Sequence, residues 1–290
     1  MAHSSNVESF NGASFHSRAT VDLRKIAPRP GHQGGSPQDK SSDAARKLRP
    51  TIVGKYNLKL ILAAFNTWAF KREQPDTPER LAAAAAAAAE AGRPLEFVLY
   101  WGKGPRSHLD APDLACLDYL ASMAGRIGQA YGPGALIRLI FTDTHAALNG
   151  HAREAADAYF DAVAAAGLER GFAGARLGAL VDALEADGAD APEETPSDEV
   201  LRSLTACAAK WYRGEGSTEQ GARDYYRMNM VEKRAVARAF PEAVFVTFNG
   251  SEFRGLFPAE MPIFYMYSLR RGVGVKPWFI GGALPAASHA

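Results

Sequence analysis

No sign of charge dominates this 290-residue chain, in which 33 Lys and Arg stand against 32 Asp and Glu. A protein that grips nucleic acid by neutralising phosphates shows a basic excess, so this balance speaks against a nucleic-acid partner. Long hydrophobic runs are also missing. The longest, Leu81 to Ala89, is one Leu followed by eight Ala, too short and too weakly apolar to span a bilayer. The first residues, Met-Ala-His-Ser-Ser-Asn, lack a basic segment followed by an apolar one, so no secretory signal is expected. Cysteine is scarce. Cys116 and Cys207 form no CxxC pair and are expected as reduced thiols of a cytoplasmic protein. No HExxH or related spacing is present, and His145 and His151, six apart, do not share a helix face, so no metal site is expected.

What is present is uneven. Residues 1–50 carry eight basic and four acidic groups (net +4), residues 151–200 three and twelve (net −9), and residues 201–290 twelve and seven (net +5). The first 50 residues are rich in Ser, Gly and Pro, include the run Pro28-Arg-Pro-Gly-His-Gln-Gly-Gly-Ser-Pro37, and show no apolar period. They are expected to form a disordered tail. A single α/β domain is expected over 51–290, with an acidic helical insertion near 167–200.

Helices are predicted from about Tyr56 to Phe70 and from Pro78 to Gly92. Further helices are predicted after an Asp110 cap as far as Tyr131, from about Gly150 to Ala166, from Asp198 to Tyr212, and from Asp224 to Phe240. Buried strands are predicted at Leu95–Tyr100, Ala135–Phe141, Ala243–Phe248 and Ile263–Tyr267. Strands alternating with helices indicate an α/β, Rossmann-like fold with a mostly parallel sheet flanked by helices. Ligands in such folds bind beyond the carboxyl ends of strands.

Those ends carry the candidate site. The first strand runs into Tyr100-Trp-Gly-Lys-Gly-Pro-Arg106. Lys103 and Arg106 offer cations for a carboxylate or phosphate, and Tyr100 and Trp101 offer faces for a cationic or planar ligand. The spacing is neither a Walker A nor GxGxxG. The second strand ends in Phe141-Thr-Asp-Thr-His145, where Asp143 is placed to bond a ligand hydroxyl or ammonium. On a later helix Tyr225, Asn229, Glu232 and Lys233 share a face, bordered by Tyr226 and Arg227. Asn249 closes the third strand, and no GxSxG elbow is present.

The series Lys103-Gly-Pro-Arg106, Pro112-Asp-Leu-Ala115, Tyr131-Gly-Pro-Gly-Ala135 and Thr142-Asp143 resembles the isonitrile synthase (pyoverdine/dityrosine biosynthesis) family. That family has Lys-Ser-Pro-Asn, Pro-Asp-hydrophobic, Tyr-Pro-Pro-Gly-Ala and Ser-Asp-Gly elements in the same order. Tyr226-Arg227 and Phe240-Pro-Glu-Ala-Val244 resemble its second block. Where the family reads Ser-Asp-Gly-Arg-Val-Phe, this chain reads Thr142-Asp-Thr-His-Ala-Ala147, without the arginine. The family resemblance implies action on an amino acid and a sugar phosphate.

In size and character the chain is also similar to S-adenosylmethionine-dependent 3-amino-3-carboxypropyl transfer enzymes, isonocardicin synthase and the azetidine-2-carboxylate synthases among them. That likeness implies an antibiotic-biosynthesis transferase. It would use S-adenosylmethionine as co-substrate, with no bound cofactor. It would pass the aminocarboxypropyl group to a phenolic or other oxygen acceptor, or cyclise it, and release methylthioadenosine. The aromatic faces of Tyr100, Trp101, Tyr225 and Tyr226 would suit the sulfonium, and Lys103 or Arg227 the carboxylate. His145 or Glu232 would serve as base. A non-catalytic small-molecule-binding protein on the same fold is the third expectation.

Overall fold

The computed structural model describes residues 52–53, 56–71, 73–102, 108–188, 195–212, 214–266, 268–270 and 273–275. The tail expected over 1–50 lies outside the described residues. In chain order the elements are β1 (Ile52–Val53), β2 (Tyr56–Asn57), α1 (Leu58–Phe65), α2 (Pro78–Ala91), β3 (Leu95–Trp101) and α3 (Ala111–Ala130). Then come β4 (Ala135–Phe141), α4 (Asp143–Leu148), α5 (Arg153–Leu168), β5 (Ala173–Arg176) and α6 (Leu177–Ala186). The last are α7 (Asp198–Trp211), α8 (Thr218–Ala239), β6 (Val244–Thr247), β7 (Ile263–Tyr265), β8 (Ser268–Arg270) and β9 (Val273–Val275), with a 3₁₀ turn at Ser251–Leu256 between β6 and β7.

Five strands form one wholly parallel sheet in the order β5-β4-β3-β6-β7. The chain starts at the centre with β3, winds outward through β4 and β5, then returns to the other side of β3 for β6 and β7. The α/β, Rossmann-like expectation is met, and the winding reverses between β3 and β6. Such a reversal opens a crevice beyond the carboxyl ends of the two strands.

Alternation along β3 and β4 sorts the layers, because successive strand side chains face opposite ways. Phe97, Leu99, Trp101, Ile137, Leu139 and Phe141 point into one core, shared with buried residues of α1, α2, α3 and α5. Val98 and Ile140 point into the other, with Leu177 of α6, Val236 of α8, and Phe245 and Tyr265 of the sheet. Fully burying each such Val, Leu or Phe contributes about 1.5–3 kcal/mol.

The helix ends follow local chemistry. Pro78 opens α2, and Gly92, at φ 63°, closes it in the left-handed region. Asp110 and Asp113 form a reciprocal capping box at the start of α3, as the Asp110 cap predicted. Ser217 caps α8 by accepting from the Gln220 N–H at 3.1 Å, so that helix begins six residues before the predicted Asp224. The first helix is shorter than predicted at both ends: Tyr56–Asn57 pairs with β1 and Asn57 caps α1, and the helix closes at Phe65 with the Asn66 N–H donating to the Leu62 carbonyl oxygen.

The segment expected as an acidic helical insertion contributes to the sheet: Ala173–Arg176 is its edge strand, paired with β4, and α6 follows directly. Gly174 lies against the Phe141 ring, where an added Cβ would come within 2.7 Å of a ring carbon. A four-residue Ala-Gly-Ala-Arg strand has no apolar run to announce it. Residues 189–194 of that segment lie outside the described residues. No described helix is long and apolar enough to cross a membrane.

Candidate active site

The carboxyl end of β4 turns at once into α4, which sets Asp143, Thr144 and His145 along the edge of the sheet. Helix α8 crosses the same face. Its spacing of four and three residues brings Tyr225, Asn229 and Glu232 onto one side of the helix, as their sequence spacing predicted. The side chain of Glu232 is fully buried (0% exposed) and is held from two directions. The Thr144 hydroxyl donates to Glu232 Oε1 at 2.5 Å, and His145 Nε2 lies 2.8 Å from Glu232 Oε2.

A carboxylate accepts hydrogen bonds, so the neutral His145 ring carries its proton on Nε2 and presents a lone pair at Nδ1. The imidazole is 21% exposed, so its position spans a buried carboxylate and solvent. A base oriented by a third group in this way is the arrangement general-base catalysis requires. The rings of Tyr100 and Tyr225 flank it, with centroids 6.4 and 5.5 Å from that of His145.

Tyr100 reaches the cluster from the end of β3. Its ring packs edge-on against Phe245 at 5.1 Å, and its hydroxyl is buried with no hydrogen-bond partner among the described residues. Burial first, then the nearby Glu232 and Tyr225, push its phenol well above the ordinary tyrosine value. It is therefore a protonated donor throughout the neutral range.

The other expected site residues are placed differently. Trp101 follows Tyr100 on the strand and so faces the opposite core, where it is 1% exposed and its indole N–H donates to the Tyr159 hydroxyl at 3.1 Å. The Tyr100–Trp101 aromatic pair is thus split across the sheet. Asp143 turns toward α6, accepting from the Gly178 N–H at 2.9 Å, and so helps satisfy the start of that helix. Arg227 is exposed and paired with Asp224 at 3.4 Å. Asn229 is buried, and its amide donates to the Tyr225 carbonyl oxygen at 2.9 Å. Tyr226 is half-buried on α8. Asn249 follows β6, on the other side of the sheet reversal, with its N–H donated to Thr247 Oγ1 at 3.1 Å. Lys103 and Arg106 lie outside the described residues.

Sequence reasoning missed Thr144, although it sits inside the quoted Thr-Asp-Thr-His stretch. It also missed a second polar group beside the ends of β6 and β7. There the Tyr265 hydroxyl donates to Asp76 Oδ2 at 2.7 Å, Arg254 pairs with the same carboxylate, and the Ser251 N–H donates to Glu73 Oε2 at 3.1 Å. These contacts draw residues 73–76 over the carboxyl edge. Among the described residues, no group of three or more His, Cys, Asp or Glu side chains could hold a metal ion.

No family model matches the chain, and no curated protein matches it. Among solved structures it is similar to the PvcA protein from Pseudomonas aeruginosa, with 19% identity and a TM-score of 0.54 over 76% of this chain and 87% of that one. At that identity the likeness is one of fold.

Proposed function

We propose that this chain is a small-molecule biosynthetic enzyme that works in the manner of the isonitrile synthases, acting on an amino acid and a carbonyl-bearing second substrate. The observation that carries the reading is the Thr144–Glu232–His145 network at the carboxyl edge of the sheet. The motif resemblance and the fold likeness to PvcA point the same way. In this reading His145, oriented by Glu232, removes a proton from the amino group of the amino acid and frees its lone pair for attack.

Aminocarboxypropyl transfer from S-adenosylmethionine is the competing reading. It called for open aromatic faces around a sulfonium, whereas Tyr100 and Tyr225 flank an imidazole and Trp101 belongs to the opposite core. One assay separates them. The full-length chain is incubated with each of the common amino acids plus a set of sugar phosphates, and in parallel with S-adenosylmethionine plus phenolic acceptors. An isonitrile product detected by mass spectrometry is the expected result. Methylthioadenosine formed only with enzyme, and no isonitrile with any amino acid, would overturn the reading in favour of the transferase.

A further inference from the structure

Among the described residues, the Tyr100 hydroxyl is the one buried polar atom of the site that the protein leaves without a partner. Buried hydroxyls are almost always bonded, and an exception inside a site points to a ligand that completes it. Its surroundings select the ligand. Tyr100 is a donor that keeps its proton, because burial, Glu232 and Tyr225 all oppose its ionisation. The same buried Glu232 repels an anionic oxygen brought to that spot, so a carboxylate or phosphate oxygen is a poor acceptor there and an uncharged carbonyl oxygen a good one.

We propose that the Tyr100 hydroxyl is the hydrogen-bond donor to the neutral carbonyl oxygen of the second substrate, acting opposite the His145 base. This rests on the function proposed above and adds a catalytic residue and a ligand chemistry to it. In the step so described, the amine nitrogen forms a bond to the carbonyl carbon as the C=O π pair moves onto oxygen, where the Tyr100 O–H supports the developing charge and protonation prevents a full anion beside Glu232. One of the two protons left on nitrogen moves to that oxygen, giving a neutral carbinolamine, while His145 Nδ1 keeps the proton it took from the ammonium group. No oxidant, reductant or metal enters the balance.

Tyr100→Phe keeps the ring against Phe245 and His145 and removes only the unpartnered hydroxyl. Two readouts follow, neither of which depends on turnover or product identity. Thermal unfolding should shift upward by about 2–4 °C, because the variant no longer buries an unbonded polar group. Infrared spectra of carbonyl-¹³C dihydroxyacetone, an uncharged probe, should show a C=O stretch lowered on binding to the wild-type chain. The Tyr100→Phe chain should bind about tenfold more weakly and show no such lowering. Glycerol, which lacks the carbonyl, should bind both chains alike.

A lower melting temperature for Tyr100→Phe would mean that the hydroxyl has a structural partner, and would overturn the proposal. So would an unchanged carbonyl stretch on binding, equal affinity in both chains, or no saturable binding to the wild type. A chain that passes these tests yet makes no isonitrile would retain the Tyr100 assignment and lose the reaction assigned to the site.

Discussion

Replacing Glu232 by Gln isolates the charge that orients His145. Glu232 is fully buried and its two oxygens accept from Thr144 and His145. Gln has the same shape, and its carbonyl oxygen can still accept from His145 Nε2–H while its amide donates to the Thr144 hydroxyl oxygen, which has spare lone pairs. No cavity opens and no polar atom is stranded, so folding stability should change by less than about 1 kcal/mol, whereas Glu232→Ala, which strands the Thr144 hydroxyl and the His145 N–H, should cost about 1–3 kcal/mol for each group left unsatisfied. What Gln loses is the charge-assisted character of the bond to the imidazole, worth about 1.5–3 kcal/mol against about 1 kcal/mol for a neutral bond. The imidazolium formed on proton uptake is the species that needs this charge, so the loss falls on the transition state. At about 1.4 kcal/mol per factor of ten, kcat/KM for product formation should drop roughly 3- to 30-fold while urea unfolding stays near wild type. Wild-type kcat/KM in a folded Glu232→Gln chain would mean that the Glu232 charge does not act on His145.

Two further substitutions probe the rest of the account. Trp101→Phe removes the indole donor to Tyr159 on the far side of the sheet. It should lower stability by about 1–3 kcal/mol in urea titrations and leave kcat/KM within about twofold, since Trp101 faces away from His145. Tyr265 sets an alkaline limit. Burial and its bond to Asp76 raise its phenol far above the unfolded value of about 10, so above that pH the folded chain holds a proton that the unfolded chain has released. Stability is therefore fully present below about pH 10 and should fall above it by about 1.4 kcal/mol per pH unit from this group. Tyr265→Phe should flatten that limb in pH-dependent unfolding curves; an unchanged slope would contradict the assignment.

The central strands were legible because β3 and β4 lie between two helical layers, so their sequences are near-continuous apolar runs that few other structures use. Strand β5 was not, since an edge strand of Ala and Gly beneath Phe141 is formed by its neighbour rather than by its own hydrophobicity. His145 and Glu232 were both recognisable as candidate bases from their places at a strand end and on a polar helix face. Their pairing was not, because 87 residues separate them and only the crossing of α8 over α4 brings them together. The separation of Tyr100 from Trp101 was available in the alternation of the strand itself, which puts adjacent residues in different layers.

In the proposed reaction His145 is the group that takes the proton. The most direct test of this role is chemical rescue of His145→Ala in the product assay. Turnover should fall about a hundredfold or more and be partly restored in proportion to added imidazole. Turnover within about twofold of wild type, or a large loss that imidazole leaves untouched, would contradict it.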